Sequence, residues 1–210
     1  MKKYTTLILI LLTTIYSCTE QKEKSEVDLI FEKFGNGDKD VSDFNQLMES
    51  LSDQEGSYKV VFPKAKFEII FPVMNVKESS TKQIIDNQEI EIFHYTANMQ
   101  DKNDINLAYQ LDYVFLPEVE SSEEIDELFN EQRDYVLSAT NSILEFDKII
   151  EKNGAPGRHL YITVDKSDLK TNYKMYFKDG IFYKLAVVTQ EGNLFNKSIS
   201  RFFDSFKITN

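Results

Sequence analysis

Residues 173–188 read YKMYFKDGIFYKLAVV. Two strand-prone runs flank Asp179-Gly180. An Asp-Gly pair between such runs is a strong hairpin signal, because a type I′ turn needs φ > 0 at both central residues. The stretch therefore predicts two antiparallel strands around 171–178 and 181–188, joined by the tightest loop available. A hairpin here, with no helical crossover, points to an antiparallel sheet.

Reading outward, RHLYITVD (158–165) sets Leu160, Ile162 and Val164 on one face of a further strand. GAPG (154–157) before it is expected to turn the chain, and SILEFDKIIE (142–151) reads as the strand preceding that turn. Upstream lies a helix. Ser121 and Glu124 form a capping-box pattern, Ile125, Leu128, Phe129, Val136 and Ala139 draw its apolar stripe, and Asn141 marks its end. Before the helix, LAYQLDYVF (107–115) alternates Leu107, Tyr109, Leu111, Tyr113 and Phe115 against Ala108, Gln110 and Asp112. QEIEIFHYTA (88–97) follows a turn expected at Asp86-Asn87. SYKVVFP and KFEIIFP are short strands that each end at proline, where a missing N–H costs no ladder bond. At the other end, Phe195, Ile199, Phe202, Phe203 and Phe206 trace a helical stripe. Helices that bunch between runs of hairpin-linked strands indicate an α+β fold.

The first 56 residues have a different character. Lys2-Lys3 and the apolar LILILL (7–12) have the layout of an export signal, too short to span a bilayer. Ile15-Tyr16-Ser17-Cys18 resembles a bacterial lipobox, with Tyr16 bulkier than that pattern prefers. The resemblance implies diacylglycerol on the thiol of Cys18, cleavage before it and acylation of the new amine. Residues 1–17 are then the signal peptide and 18–26 a polar, flexible tether. Two acyl chains hold a protein to a membrane where one only visits. Thr19, in place of aspartate after Cys18, points to the outer membrane of a Gram-negative cell. Residues 27–56 carry two short helical stripes, Val27, Ile30, Phe31, Phe34 and Phe44, Leu47, Met48, Leu51. The breaker run between them, GNGDKDVS, resembles a calcium loop but lacks its glycine and its terminal glutamate, since Val41 and Leu47 stand there.

FEIIFP, GAPGRHL, the Asp-Gly hairpin and RFFDSFKI together resemble the PsbP and Mog1-like proteins. The resemblance runs over about residues 57–209 and implies an antiparallel sheet sandwiched between helices, in a domain spanning 57–210. Members of that group are adaptor and binding proteins with no shared catalytic residue set. A fold alone does not fix a function.

The net charge of −11 disfavours nucleic acid as a partner. Cys18 is the only cysteine, and acylation would consume it. His94 and His159 stand in expected strands without ligand-spaced neighbours, so no metal or other cofactor is expected. Ser79-x-x-Lys82 and Ser167-x-x-Lys170 lack the helical setting that such a serine nucleophile needs. The neighbouring glutamates at 123 and 124 suit a helix start better than paired acid catalysis. Tyrosines do cluster in the last strands, and Tyr161, Tyr176, Lys174, Lys184 and Arg158 form the candidate binding surface. The expected function is a lipid-anchored envelope binding or adaptor module, held to the membrane through Cys18 and facing a protein or glycan. The alternative is an envelope hydrolase with an unrecognised site.

Overall fold

The computed structural model describes residues 56–85, 88–98, 106–116, 119, 121–190, 192–193 and 195–209. The expected signal segment, Cys18, the tether and both expected N-terminal helical stripes lie outside the described residues, as do Asp86 and Asn87, where a turn is expected.

Two strands open the domain, β1 (Tyr58–Phe62) and β2 (Phe67–Phe71), linked by a single 3-10 turn at Pro63–Ala65. They pair antiparallel, and β10 (Lys207–Ile208) adds to β2. The main sheet holds β3 (Lys77–Ile85), β4 (Gln88–Asn98), β5 (Asn106–Phe115), β6 (Ser142–Lys152), β7 (Ala155–Val164), β8 (Leu169–Lys178) and β9 (Ile181–Gln190). Its order is β3-β4-β5-β9-β8-β7-β6, antiparallel throughout. Helix α1 (Ser122–Thr140) connects β5 to β6, and α2 (Lys197–Ser205) follows β9. The α+β reading holds, with one refinement: the opening strands form a second sheet that packs on the first.

The tight hairpin is as expected. Asp179 and Gly180 have φ of 51° and 73°, and Lys178 faces Ile181 across the turn. The capping box at Ser121 and Glu124 is formed in both directions, and Asn141 closes α1 in the left-handed conformation.

Two departures concern turns and edges. The expected turn at 154–157 falls earlier, at Asn153-Gly154, both with positive φ. Ala155, Pro156 and Gly157 already belong to β7. Pro156 faces Glu151 of β6, and pairing with β8 starts only at Gly157, so the proline removes no ladder bond. Gly157 is there for closeness. A Cβ on it would stand 2.4 Å from the Met175 carbonyl oxygen and 2.7 Å from the Tyr176 ring. The second departure is β3, KESSTKQII, whose polar sequence hides an edge strand that pairs with β4 over nine positions.

Both faces of the main sheet are covered. On one face, the small sheet and α2 bury a core centred on Phe67, whose ring meets Phe62, Tyr95, Tyr113, Tyr183 and Phe206 at 5.4–6.2 Å. Tyr183 Oη donates to the Ala65 carbonyl at 2.8 Å, pinning that layer down. On the other face, α1 lays Leu128, Phe129 and Val136 over Leu160, Ile162, Tyr173, Met175 and Phe182.

Candidate functional site

The small sheet and α2 do not cover their whole face. Toward the β6 edge, two cross-strand rows stay partly open. The register sets Phe146 opposite Tyr161 and Tyr161 opposite Asn172. One row on, Lys148 faces His159 and His159 faces Lys174. The rings converge: Phe146 lies 4.9 Å from Tyr161 and 5.4 Å from His159, which is 4.6 Å from Tyr161. Phe195, just before α2, adds its edge to Tyr161 at 5.3 Å and is 78% exposed.

This platform is held from below and from the side. Asn172 is buried beneath it and accepts from His159 Nε2 at 2.9 Å. Beside Phe195, Asn196 caps α2 by accepting from the Ile199 N–H at 3.0 Å. The Asn196 amide also donates to Asn106 Oδ1 at 2.8 Å, fixing the loop to β5. Lys174 reaches over the Phe203 ring of α2 at 4.9 Å. Burial holds the Lys174 ammonium below the usual lysine range, and Asp204 only partly offsets it. Burial also pushes the His159 imidazole down; Asn172 opposes the shift, and the charges of Lys174 and Lys148 add to it.

Of the five residues singled out in the strands, only Tyr161 and Lys174 belong to this platform. Tyr176 shares the face but is buried, because α2 ends over it and Phe206 stacks on its ring at 5.7 Å. Burial pushes its hydroxyl up to about 12. Arg158 points to the α1 side, where Nε and Nη2 grip Asp147, the latter at 2.7 Å. Arg133 of α1 meets the same carboxylate at 3.3 Å, so Asp147 ties the edge strand to both β7 and the helix. Lys184 also faces the α1 side and has no exposure. The expectation of a surface made of all five fails because the sheet is covered on both faces, and alternate residues of one strand enter different cores. His159, Phe146, Asn172 and Phe195 were not foreseen. Their signal was the cross-strand register, which no short window of sequence displays.

His94 is not a sheet-surface histidine. It is buried on the α1 side and bonded through both nitrogens, to Asp112 Oδ1 at 2.9 Å and to Thr81 Oγ1 at 3.0 Å. A carboxylate only accepts, so Nδ1 donates to Asp112, while Nε2 bonds the Thr81 hydroxyl. Asp112 also accepts from Gln110 Nε2 at 2.7 and 2.8 Å and from Lys184 Nζ at 2.8 Å. Burial raises the Asp112 carboxyl, but the Lys184 charge and the His94 bond outweigh it, and the net shift is downward. The hydroxyl–imidazole–carboxylate order matches a nucleophile relay in its atoms. Thr81, however, is a β-branched residue in mid-strand, away from any sharp turn that would present its oxygen.

Among the described residues, no three His, Cys, Asp or Glu side chains converge as a metal site.

No family model matches the chain, and no curated protein does. Among solved structures, the solution structure of cyanobacterial PsbP (CyanoP) from Synechocystis sp. PCC 6803 superposes with a TM-score of 0.52 at 12% identity. The match covers 75% of this chain and 95% of that one. The protein of unknown function PA94 from Pseudomonas aeruginosa matches at TM-score 0.34 and 10% identity, over 55% of this chain and 85% of that one. The fold is therefore PsbP-like.

Proposed function

We propose that this protein is a binding module of the cell envelope, anchored by lipid at Cys18, and that the open rows on β6, β7 and β8 are its docking surface. The observation that supports this most is the ring cluster in which exposed Phe146 and Phe195 flank half-buried Tyr161. It is preorganised by a buried Asn172 and a capped loop. Aromatic side chains held rigid at a surface supply contact area at low entropic cost and are enriched where proteins bind. The likeness of Ile15–Cys18 to a lipobox supports a membrane anchor, and Thr19 favours the outer membrane of a Gram-negative cell. Replacing Cys18 by Ser should abolish lipid labelling and leave the precursor uncut. Labelled, processed protein in that variant would remove the anchor from this account.

A hydrolase reading has one observation in its favour, the Thr81–His94–Asp112 order. Rescue of a gene deletion separates the two. Under the binding reading, Thr81→Val restores the wild-type phenotype, while Tyr161→Ala combined with Phe195→Ala does not, although both proteins reach the membrane folded. The opposite pattern would favour the enzyme.

A further inference from the structure

We infer that the platform takes an anionic saccharide, its ring packed on Tyr161 and its neighbours and its acidic group held by Lys148 and Lys174. The inference rests on the binding reading above and names the ligand class of that same surface.

The row Lys148–His159–Lys174 places two ammonium groups and an imidazole directly across from one another on neighbouring strands. The two ammonium groups stand two strands apart with His159 between them, and a fold normally answers lysines gathered in one row with carboxylates. This fold does so elsewhere on the same face. Lys170, two positions from Asn172, bonds Glu145 at 2.8 Å. Among the described residues, neither Lys148 nor Lys174 has a carboxylate within ion-pair distance, in a chain carrying 35 acidic residues against 24 basic ones. Asp204 acts on Lys174 only through its charge, without a salt bridge. A half-buried ammonium without a counter-ion is costly, and an incoming anion would relieve that cost.

The rest of the platform selects the kind of anion. One side of a pyranose ring is a sheet of C–H bonds that packs on an aromatic face, while its hydroxyls need hydrogen-bonding partners at the rim. The rings of Phe146, Tyr161 and Phe195 supply the first requirement. The Tyr161 hydroxyl and His159 supply the second. A long polyanion such as nucleic acid would meet the −11 net charge of the molecule, whereas a short acidic sugar brings one or a few charges to a local positive row. An acidic peptide would use the lysines but has no flat ring for the aromatic row.

The test is calorimetric titration of the full chain in detergent with trigalacturonate, with the corresponding neutral galactose trisaccharide and with a pentaglutamate peptide. Trigalacturonate should bind at least about tenfold more tightly than either control. Lys148→Met with Lys174→Met should remove that preference and leave the weak neutral-sugar binding unchanged. Tyr161→Ala should weaken both sugars. Each variant's thermal midpoint is measured alongside, and methionine at 174 keeps the aliphatic packing over Phe203. Equal binding of pentaglutamate, or trigalacturonate binding that ignores the lysine pair, would overturn the saccharide assignment. So would absence of sugar binding in the wild type. If the platform variants still failed to rescue the deletion in that last case, the binding reading would survive with a protein partner instead.

Discussion

Lys184 Nζ lies 2.8 Å from Asp112 Oδ2 on the adjacent strand, and neither side chain has any solvent exposure. Removing one partner strands the other charge in the core. Lys184→Met alone, or Asp112→Asn alone, is expected to cost about 3–5 kcal/mol of unfolding free energy. The double replacement Asp112→Asn with Lys184→Met should cost less than the sum of the singles, measured as a double-mutant cycle in urea. Additive losses would mean that the pair acts independently, contrary to its geometry.

The acid limb of stability follows from the same groups. The folded carboxyls of Asp112 and Asp147 sit below their usual range. For Asp112, burial acts the other way but is outweighed by Lys184 and His94; for Asp147, the Arg158 bond leads. A depressed carboxyl contributes stability that is complete above the unfolded value, about 3.9, and is lost as pH falls through the folded value. The neutral form of His159 is also favoured by burial, so stability declines as pH drops past about 6.5. The two effects share a sign. The unfolding midpoint should slip gently below neutrality and steeply below about pH 4. In Asp147→Asn the steep part should be shallower. A midpoint flat from pH 7 to 3 would contradict this.

Gly157 and Gly180 are needed for different reasons. Gly157 leaves room for the Met175 carbonyl and the Tyr176 ring, so Gly157→Ala should cost about 1–3 kcal/mol through overpacking. Gly180 has φ of 73° in the β8–β9 turn, and a β-branched residue there is strained. Gly180→Val should destabilise by about 1 kcal/mol or more, as read from thermal or urea unfolding. Wild-type stability in either variant would place the strand or turn elsewhere.

The hairpin at Asp179-Gly180 and the helix opened by Ser121 were legible because each rests on residues close in sequence. What a short window could not show was which tyrosines stay outside. Tyr161 and Tyr176 alternate identically in their own strands, yet α2 covers only the second. Lys184 looked like a surface lysine because its counter-ion, Asp112, becomes a neighbour only through the β5–β9 register. β3 escaped notice because its run of polar residues shows no hydrophobic alternation. Pro-Gly at 156–157 suggested a turn, while the positive φ values fall at Asn153 and Gly154.

The central claim is that the face bearing Tyr161 is occupied when the protein is at work. Hydroxyl-radical footprinting tests it most directly, comparing the full chain in intact envelopes with the same chain purified in detergent. Phe115 and Ile84 serve as internal controls, since both are exposed and both lie in the half of the sheet away from β6. The account predicts that Phe146, Tyr161 and Phe195 oxidise several-fold more slowly in envelopes than after purification, while Phe115 and Ile84 change little. Equal oxidation of the three rings in both settings, with the controls unchanged, would contradict it.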